Sequence, residues 1–191
     1  MTGTDKTVAG SSESRTGVWF VGARGSVAAT AVAGALAVRS RLAGQVGLVS
    51  ELEPLAVARL PELGSFVFGG HEVADLSLPK RVEELVAAKV VPHEISAALT
   101  AELATVDNAI RLGVRRDARP QRESAAALEA DLRAFREEHG LERVVVVDVS
   151  STEPPPDEAP ELASLAALER ALDAGESPLC LLYTSPSPRD S

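Results

Sequence analysis

The sequence predicts an α/β fold, a parallel sheet doubly wound by helices on both faces, and three stretches carry that prediction. Gly17 to Thr30 reads strand, glycine turn, helix: the apolar run Val18 to Val21 suits a strand buried on both faces, and the small residues from Ala28 to Ala37 suit a helix packed tightly against it. Ser65 to Val73 is a second apolar run ending in Gly69 and Gly70. Arg143 to Val149, with four consecutive valines, is a third, and its β-branched composition favours a strand in the middle of a parallel sheet. Helical patterns separate these runs, the alternation that defines an α/β layer structure.

The chain of 191 residues is long enough for one sizeable core. Residues 1–15, rich in Ser, Thr and Gly, read as a disordered leader without the apolar centre of a signal peptide. A net charge of −9, with no dense Lys/Arg cluster, argues against nucleic acid or an anionic membrane as the main partner. The alanine-valine run Val27 to Val38 is too short to span a bilayer. A single cysteine, Cys180, allows no internal disulfide and no cysteine metal cluster, which points to the cytoplasm.

Taken in order, the first helix is expected from Ser26 to Leu42, with Gly34 among the residues that permit close approach to the sheet and Gly44 placed to stop it. Gln45 to Ser50 (Val46, Leu48, Val49) reads as a short second strand, followed by Glu51 and Glu53. An acid that takes ribose hydroxyls belongs roughly 20 residues past such a glycine turn, so these two read as solvated loop carboxylates. Pro79 opens a helix running through Lys89. A longer amphipathic helix is expected from His93 to Ile110, on the stripe Ile95, Leu99, Leu103, Val106, Ile110. Arg111 to Arg122 reads as a solvated loop, since it lacks an aromatic residue for base stacking. A helix from Glu123 to His139 ends at Gly140, and a last one from Glu158 carries Leu162, Leu165, Leu168 and Leu172 and stops at Gly175.

The candidate site lies at the carboxyl ends of the predicted strands, where open α/β sheets bind ligands. Gly22, Ala23, Arg24, Gly25 and Ser26 form the turn, spaced G-x-x-G-x-x-A through Ala28. Glycine lets the chain turn sharply and a ligand approach the backbone, and the free N–H groups of the helix start attract phosphate. The pattern departs from G-x-G-x-x-G at Arg24 and Val27, and a strand-to-helix turn that binds nothing fits it too. Gly69 and Gly70 place a flexible backbone at a second strand end, followed by His71 and Glu72; His71 has no neighbours at metal-ligand spacing and reads as structural or ligand-touching. Ser151, Thr152 and Glu153 follow the valine strand, and the prolines at 154–156 separate them from the next helix, which weakens a capping role.

In this order, V-W-F-V-G-A-R-G-S-V-A, F-V-F-G-G-H-E-V, L-P-K-R, V-V-V-V-D-V-S-S-T-E-P-P and A-L-D-A-G resemble the N-terminal part of inositol-3-phosphate synthases, also called myo-inositol-1-phosphate synthases, over Gly17 to Pro178. The resemblance implies a Rossmann-like NAD-binding domain over residues 16–178. It also implies an NAD-dependent isomerase that converts glucose 6-phosphate to 1D-myo-inositol 3-phosphate, and a homotetramer for the full-length enzyme. In the family turn G-x-G-G-x-x-G, Gly22 and Gly25 match while Arg24 and Ala28 replace glycines. Glu72 takes the place of the acid in G-G-W-D-I, His71 that of its tryptophan, and Ser151 and Thr152 match the cofactor-side S-T.

The family's catalytic lysines follow this region, in a second domain that also carries tetramer contacts. With Lys6, Lys80 and Lys89 as its only lysines, the chain is expected to be an incomplete, inactive fragment. Its last residues, 179–191, differ in composition from the rest and look like a non-native tail. A short-chain reductase or epimerase would need a lysine four residues after a tyrosine; the one tyrosine, Tyr183, is followed at that spacing by Ser187. A non-catalytic nucleotide-binding module remains the other alternative.

Overall fold

The computed structural model describes residues 14–58, 60–114, 120–150 and 160–176. Four parallel strands, β1 (Thr16–Val21), β2 (Phe66–Glu72), β3 (Ile110–Leu112) and β4 (Arg143–Asp148), lie in the order β3-β2-β1-β4. Between β1 and β2 comes α1 (Ser26–Arg39); between β2 and β3 come α2 (Leu78–Ala87), α3 (His93–Ala98) and α4 (Thr100–Asp107). α5 (Gln121–Glu138) leads into β4, and α6 (Leu165–Asp173) follows it.

The strands alternate their side chains between two helical layers, as a period of two requires. Phe20 and Phe68 enter one core with the small-residue face of α1 (Ala28, Ala29, Val32, Ala33, Leu36, Ala37) and with Leu78, Val82, Leu99 and Leu103 of the next three helices and their junctions. Trp19 faces the other way into a smaller core with Phe135 of α5 and Leu141. The winding on both faces is therefore as the sequence predicts.

Glycine in this sheet makes room for neighbours. A Cβ at Gly69 would lie 2.8 Å from Phe135 Cε2, and one at Gly70 would lie 2.3 Å from the Phe20 carbonyl oxygen and 2.6 Å from Ala23 Cβ. Both residues are buried inside β2, so the expectation of a flexible backbone there is corrected: these glycines are fixed by close packing. Gly34, expected to approach the sheet, faces open space with nothing within 4 Å of its Cβ position; alanines make the approach instead.

Two other expectations change. The strand over Gln45 to Ser50 is absent: Gly47 has φ +95°, an angle no strand adopts, and Val46 is fully exposed. Turns and short 3-10 segments (Val49–Glu51, Glu53–Ala58, Leu63–Ser65) fill the interval, and β2 is the second strand of the sheet. The long helix from His93 to Ile110 is broken at Leu99 (φ −104°, ψ 9°) and ends at Asp107, because Ile110 pairs with Gly70 as the start of β3. Finally, β4 has β1 as its only partner among the described residues, and Val145 and Val146 are about half exposed there (47% and 51%).

Helix ends follow local chemistry. α1 stops before Gly44, at Ser40, with Arg41 in the left-handed region (φ 59°) and Leu42 N–H returning to the Ala37 carbonyl. α6 begins at Leu165, later than expected, where the Ser164 hydroxyl accepts the Ala167 N–H at 3.1 Å, and Gly175 (φ +78°) ends it as foreseen.

Candidate functional site

The carboxyl ends of β1, β2 and β4 meet around the turn Gly22 to Ser26. Gly22 has φ +81°, and a Cβ there would stand 3.1 Å from Ser150 Cα, so only glycine lets the end of β1 lie against the end of β4. Gly22 N–H and Ala23 N–H both donate to the His71 carbonyl (3.0 and 3.1 Å), and Gly25 N–H donates to the Gly22 carbonyl (2.9 Å). The turn is thus closed on itself and tied to β2.

Glu72 completes the tie. It is buried, 4% exposed, and its Oε2 accepts Arg24 N–H at 3.0 Å while Oε1 accepts Val73 N–H (2.7 Å) and Ala74 N–H (3.0 Å). One carboxylate therefore fixes both the glycine turn and the chain leaving β2. Arg24 points its guanidinium to α4: Nε lies 2.8 Å from Asp107 Oδ1, and Nη1 donates to the Ala74 carbonyl at 3.3 Å. The same Asp107 oxygen accepts Leu78 N–H (2.8 Å), capping α2, and Arg81 Nε donates to the Arg24 carbonyl (2.9 Å).

With the turn amides occupied, the donors left over are those of the first turn of α1. Gly25 caps the helix without a side-chain bond, and the N–H groups of Ser26, Val27 and Ala28 have no acceptor among the described residues. Ser26 and Val27 are exposed. The N–H groups of these two residues, at the positive end of a 14-residue helix with no acidic side chain in its first turn, fit a phosphate. Gly25 fits the tight turn itself: a Cβ there would meet the Gly22 carbonyl oxygen at 3.0 Å.

The structure brings Gly22, Ala23, Arg24, Gly25, Ser26 and Glu72 to one crevice. Ser151 and Thr152 lie outside the described residues; Ser150, just before them, is held in place by Asp148, whose Oδ1 accepts its N–H (2.9 Å) and hydroxyl (2.7 Å). Asp107 and Arg81 were not legible as site residues, since they are 83 and 57 residues from Arg24 in sequence and carry no local motif.

His71 is structural. Its ring lies on the α5 side of the sheet, where Nδ1 accepts the Trp19 Nε1–H (3.0 Å) and Nε2–H donates to Asp131 (2.9 Å). Burial at 3% exposure holds its pKa below the ordinary 6.5, against the opposite pull of Asp131, so the ring is neutral in the fold. Trp19 also packs edge-on against His71 and Phe135. Among the described residues no three His, Cys, Asp or Glu side chains converge as a metal site, and no helix is long and apolar enough to cross a membrane.

Comparison with known proteins finds relatives of this chain by sequence and by fold. The chain is 31% identical over 184 residues to inositol-3-phosphate synthase 1 of Bacteroides thetaiotaomicron, an alignment that covers 83% of this chain and 41% of that protein. Its fold superposes on the crystal structure of inositol-3-phosphate synthase from Caenorhabditis elegans with a TM-score of 0.66 at 19% identity, over 86% of this chain and 40% of that one. The chain thus spans about two fifths of the length of these relatives. A family model for the NAD-binding domain of myo-inositol-1-phosphate synthase matches residues 16–184. The chain belongs to the myo-inositol-1-phosphate synthase family and carries its NAD-binding region.

Proposed function

We propose that residues 16–178 form the cofactor domain of an inositol-3-phosphate synthase, with the NAD pyrophosphate on the amides of Ser26 and Val27. The observation that carries this reading is the bonding pattern of the turn. Every N–H from Gly22 to Gly25 is used internally, and those of Ser26 and Val27, both exposed residues, are left unpaired among the described residues at the carboxyl end of β1. Gly22, Ala23, Arg24 and Gly25 shape the approach, and Glu72 stands at the end of the second strand, where this fold meets the adenosine ribose. Three hydrogen bonds leave its carboxylate one further acceptor position, enough for a ribose hydroxyl. Ser151 and Thr152, following the described end of β4, are assigned to the cofactor side by their match to the family's S-T.

In the full-length enzyme the reaction is the isomerisation of glucose 6-phosphate to 1D-myo-inositol 3-phosphate. Bound NAD would accept a hydride from the sugar and return it after ring closure. The residues of this chain bind and orient; the lysines that hold phosphate and polarise the sugar carbonyl belong to a second domain, which also supports a homotetramer. This chain is therefore expected to bind NAD in the cytoplasm without turning over glucose 6-phosphate. Calorimetric titration tests this directly. NAD binding near one per chain, with no inositol phosphate formed from glucose 6-phosphate, is the expected result; a folded chain with no NAD affinity would contradict it.

A further inference from the structure

The glycine turn after β1 and the carboxyl end of β2 carry opposite charges, Arg24 and Glu72, and their bonding bears on which cofactor the site accepts. In this fold a carboxylate at the end of the second strand takes the ribose 2′-hydroxyl of NAD, whereas an arginine nearby accommodates the 2′-phosphate of its phosphorylated relative. This chain has both, Glu72 and Arg24, joined through the Arg24 N–H on Glu72 Oε2. Left free, the Arg24 guanidinium would offer a cation beside the ribose.

Asp107 removes that option. It lies 2.8 Å from Arg24 Nε, the pair is largely shielded (18% side-chain exposure on each side), and a further guanidinium N–H is spent on the Ala74 carbonyl. Asp107 is itself fixed by Leu78 N–H at the start of α2, so it is not free to follow the arginine toward a ligand. The nearby Arg81 is committed as well, to the Arg24 carbonyl and to Glu84 (2.6 Å). Among the described residues no ion pair offsets the negative charge of Glu72.

We propose that Asp107 sets the preference for an unphosphorylated adenosine ribose by neutralising Arg24 and holding it away from the 2′ position. Asp107 acts here as a positioning residue, through Arg24. The inference rests on the NAD site proposed above, and its test separates the two. Dissociation constants for NAD and NADP are measured by calorimetry on the full chain for the wild type, Asp107→Asn, Arg24→Met and the double variant, with circular dichroism to confirm the fold. Asparagine keeps an acceptor for Leu78 N–H and removes the charge.

The wild type should prefer NAD. Asp107→Asn should improve NADP relative to NAD by about tenfold, the scale of one unit charge at short range in a partly solvated site. The gain should vanish in the double variant, and Arg24→Met alone, which leaves Asp107 uncompensated, should move the ratio further toward NAD. NAD binding with an unchanged ratio in Asp107→Asn, or a gain that survives the loss of Arg24, overturns this inference alone. Absence of NAD binding in a folded wild type overturns the NAD site and this inference with it.

Discussion

Replacing Glu72 by glutamine changes one atom at the point where the glycine turn is tied to the sheet. The side chain is 4% exposed and takes three backbone N–H groups, Val73 and Ala74 on Oε1 and Arg24 on Oε2. Glutamine keeps one acceptor oxygen. The less costly orientation leaves it on Val73 and Ala74 and turns the amide nitrogen toward Arg24 N–H, donor against donor. That loses one charge-assisted hydrogen bond and weakens two, a cost of about 2–3 kcal/mol. For a domain of this size each kcal/mol is worth about 2–4 °C, so the melting temperature should fall by roughly 4–12 °C. Urea unfolding followed by circular dichroism measures it: the midpoint should drop with the slope unchanged, and Glu72→Ala, which abandons all three donors, should drop further. A Glu72→Gln change of less than about 0.5 kcal/mol, the size of an ordinary surface substitution, would refute the view that this carboxylate holds the turn.

The same unfolding measurements check three further expectations. Gly70→Ala places a Cβ 2.3 Å from the Phe20 carbonyl oxygen, a backbone atom that cannot yield without parting β1 from β2, so it should cost about 3 kcal/mol or more. Gly34→Ala meets nothing within 4 Å on an exposed helix face and should stabilise by about 0.5–1 kcal/mol. His71 has a folded pKa below 6.5, so the unfolded chain gains its proton first as pH falls: the stability it contributes is full above 6.5 and declines as pH drops below that value toward the folded pKa. Between about pH 7.5 and 5 the wild type should therefore lose more stability than His71→Gln, and parallel curves would contradict the neutral Trp19–His71–Asp131 arrangement.

What was legible in the sequence was legible for local reasons. Val18 to Val21, the glycine turn and the small-residue helix lie within 24 residues, so strand, turn and helix patterns follow one another directly along the chain. β3 was hidden because Ile110, Arg111 and Leu112 make a three-residue edge strand that shows no apolar run, and its first residue also completes a helical stripe. Val46, Leu48 and Val49 showed the converse: apolar residues without a partner to bury them do not make a strand. The four valines of β4 carry the signature of a central strand, yet only β1 lies beside them among the described residues. The site divides in the same way. Glycine spacing located the turn, while the Asp107 and Arg81 contacts that fix Arg24 depend on packing between α2, α4 and the turn, which no periodicity records.

The central claim is that the first turn of α1 holds the cofactor's pyrophosphate, and Val27→Glu tests it most directly. Val27 is 63% exposed in that turn, so a carboxylate there should leave the fold intact and favour the positive helix end, by about 0.3–1 kcal/mol. The same charge would sit against the bound phosphates. Calorimetric titration of NAD into the wild type and this variant should show affinity reduced by about tenfold or more with no loss of melting temperature. Undiminished NAD affinity in a stably folded Val27→Glu protein would place the pyrophosphate elsewhere and contradict the account.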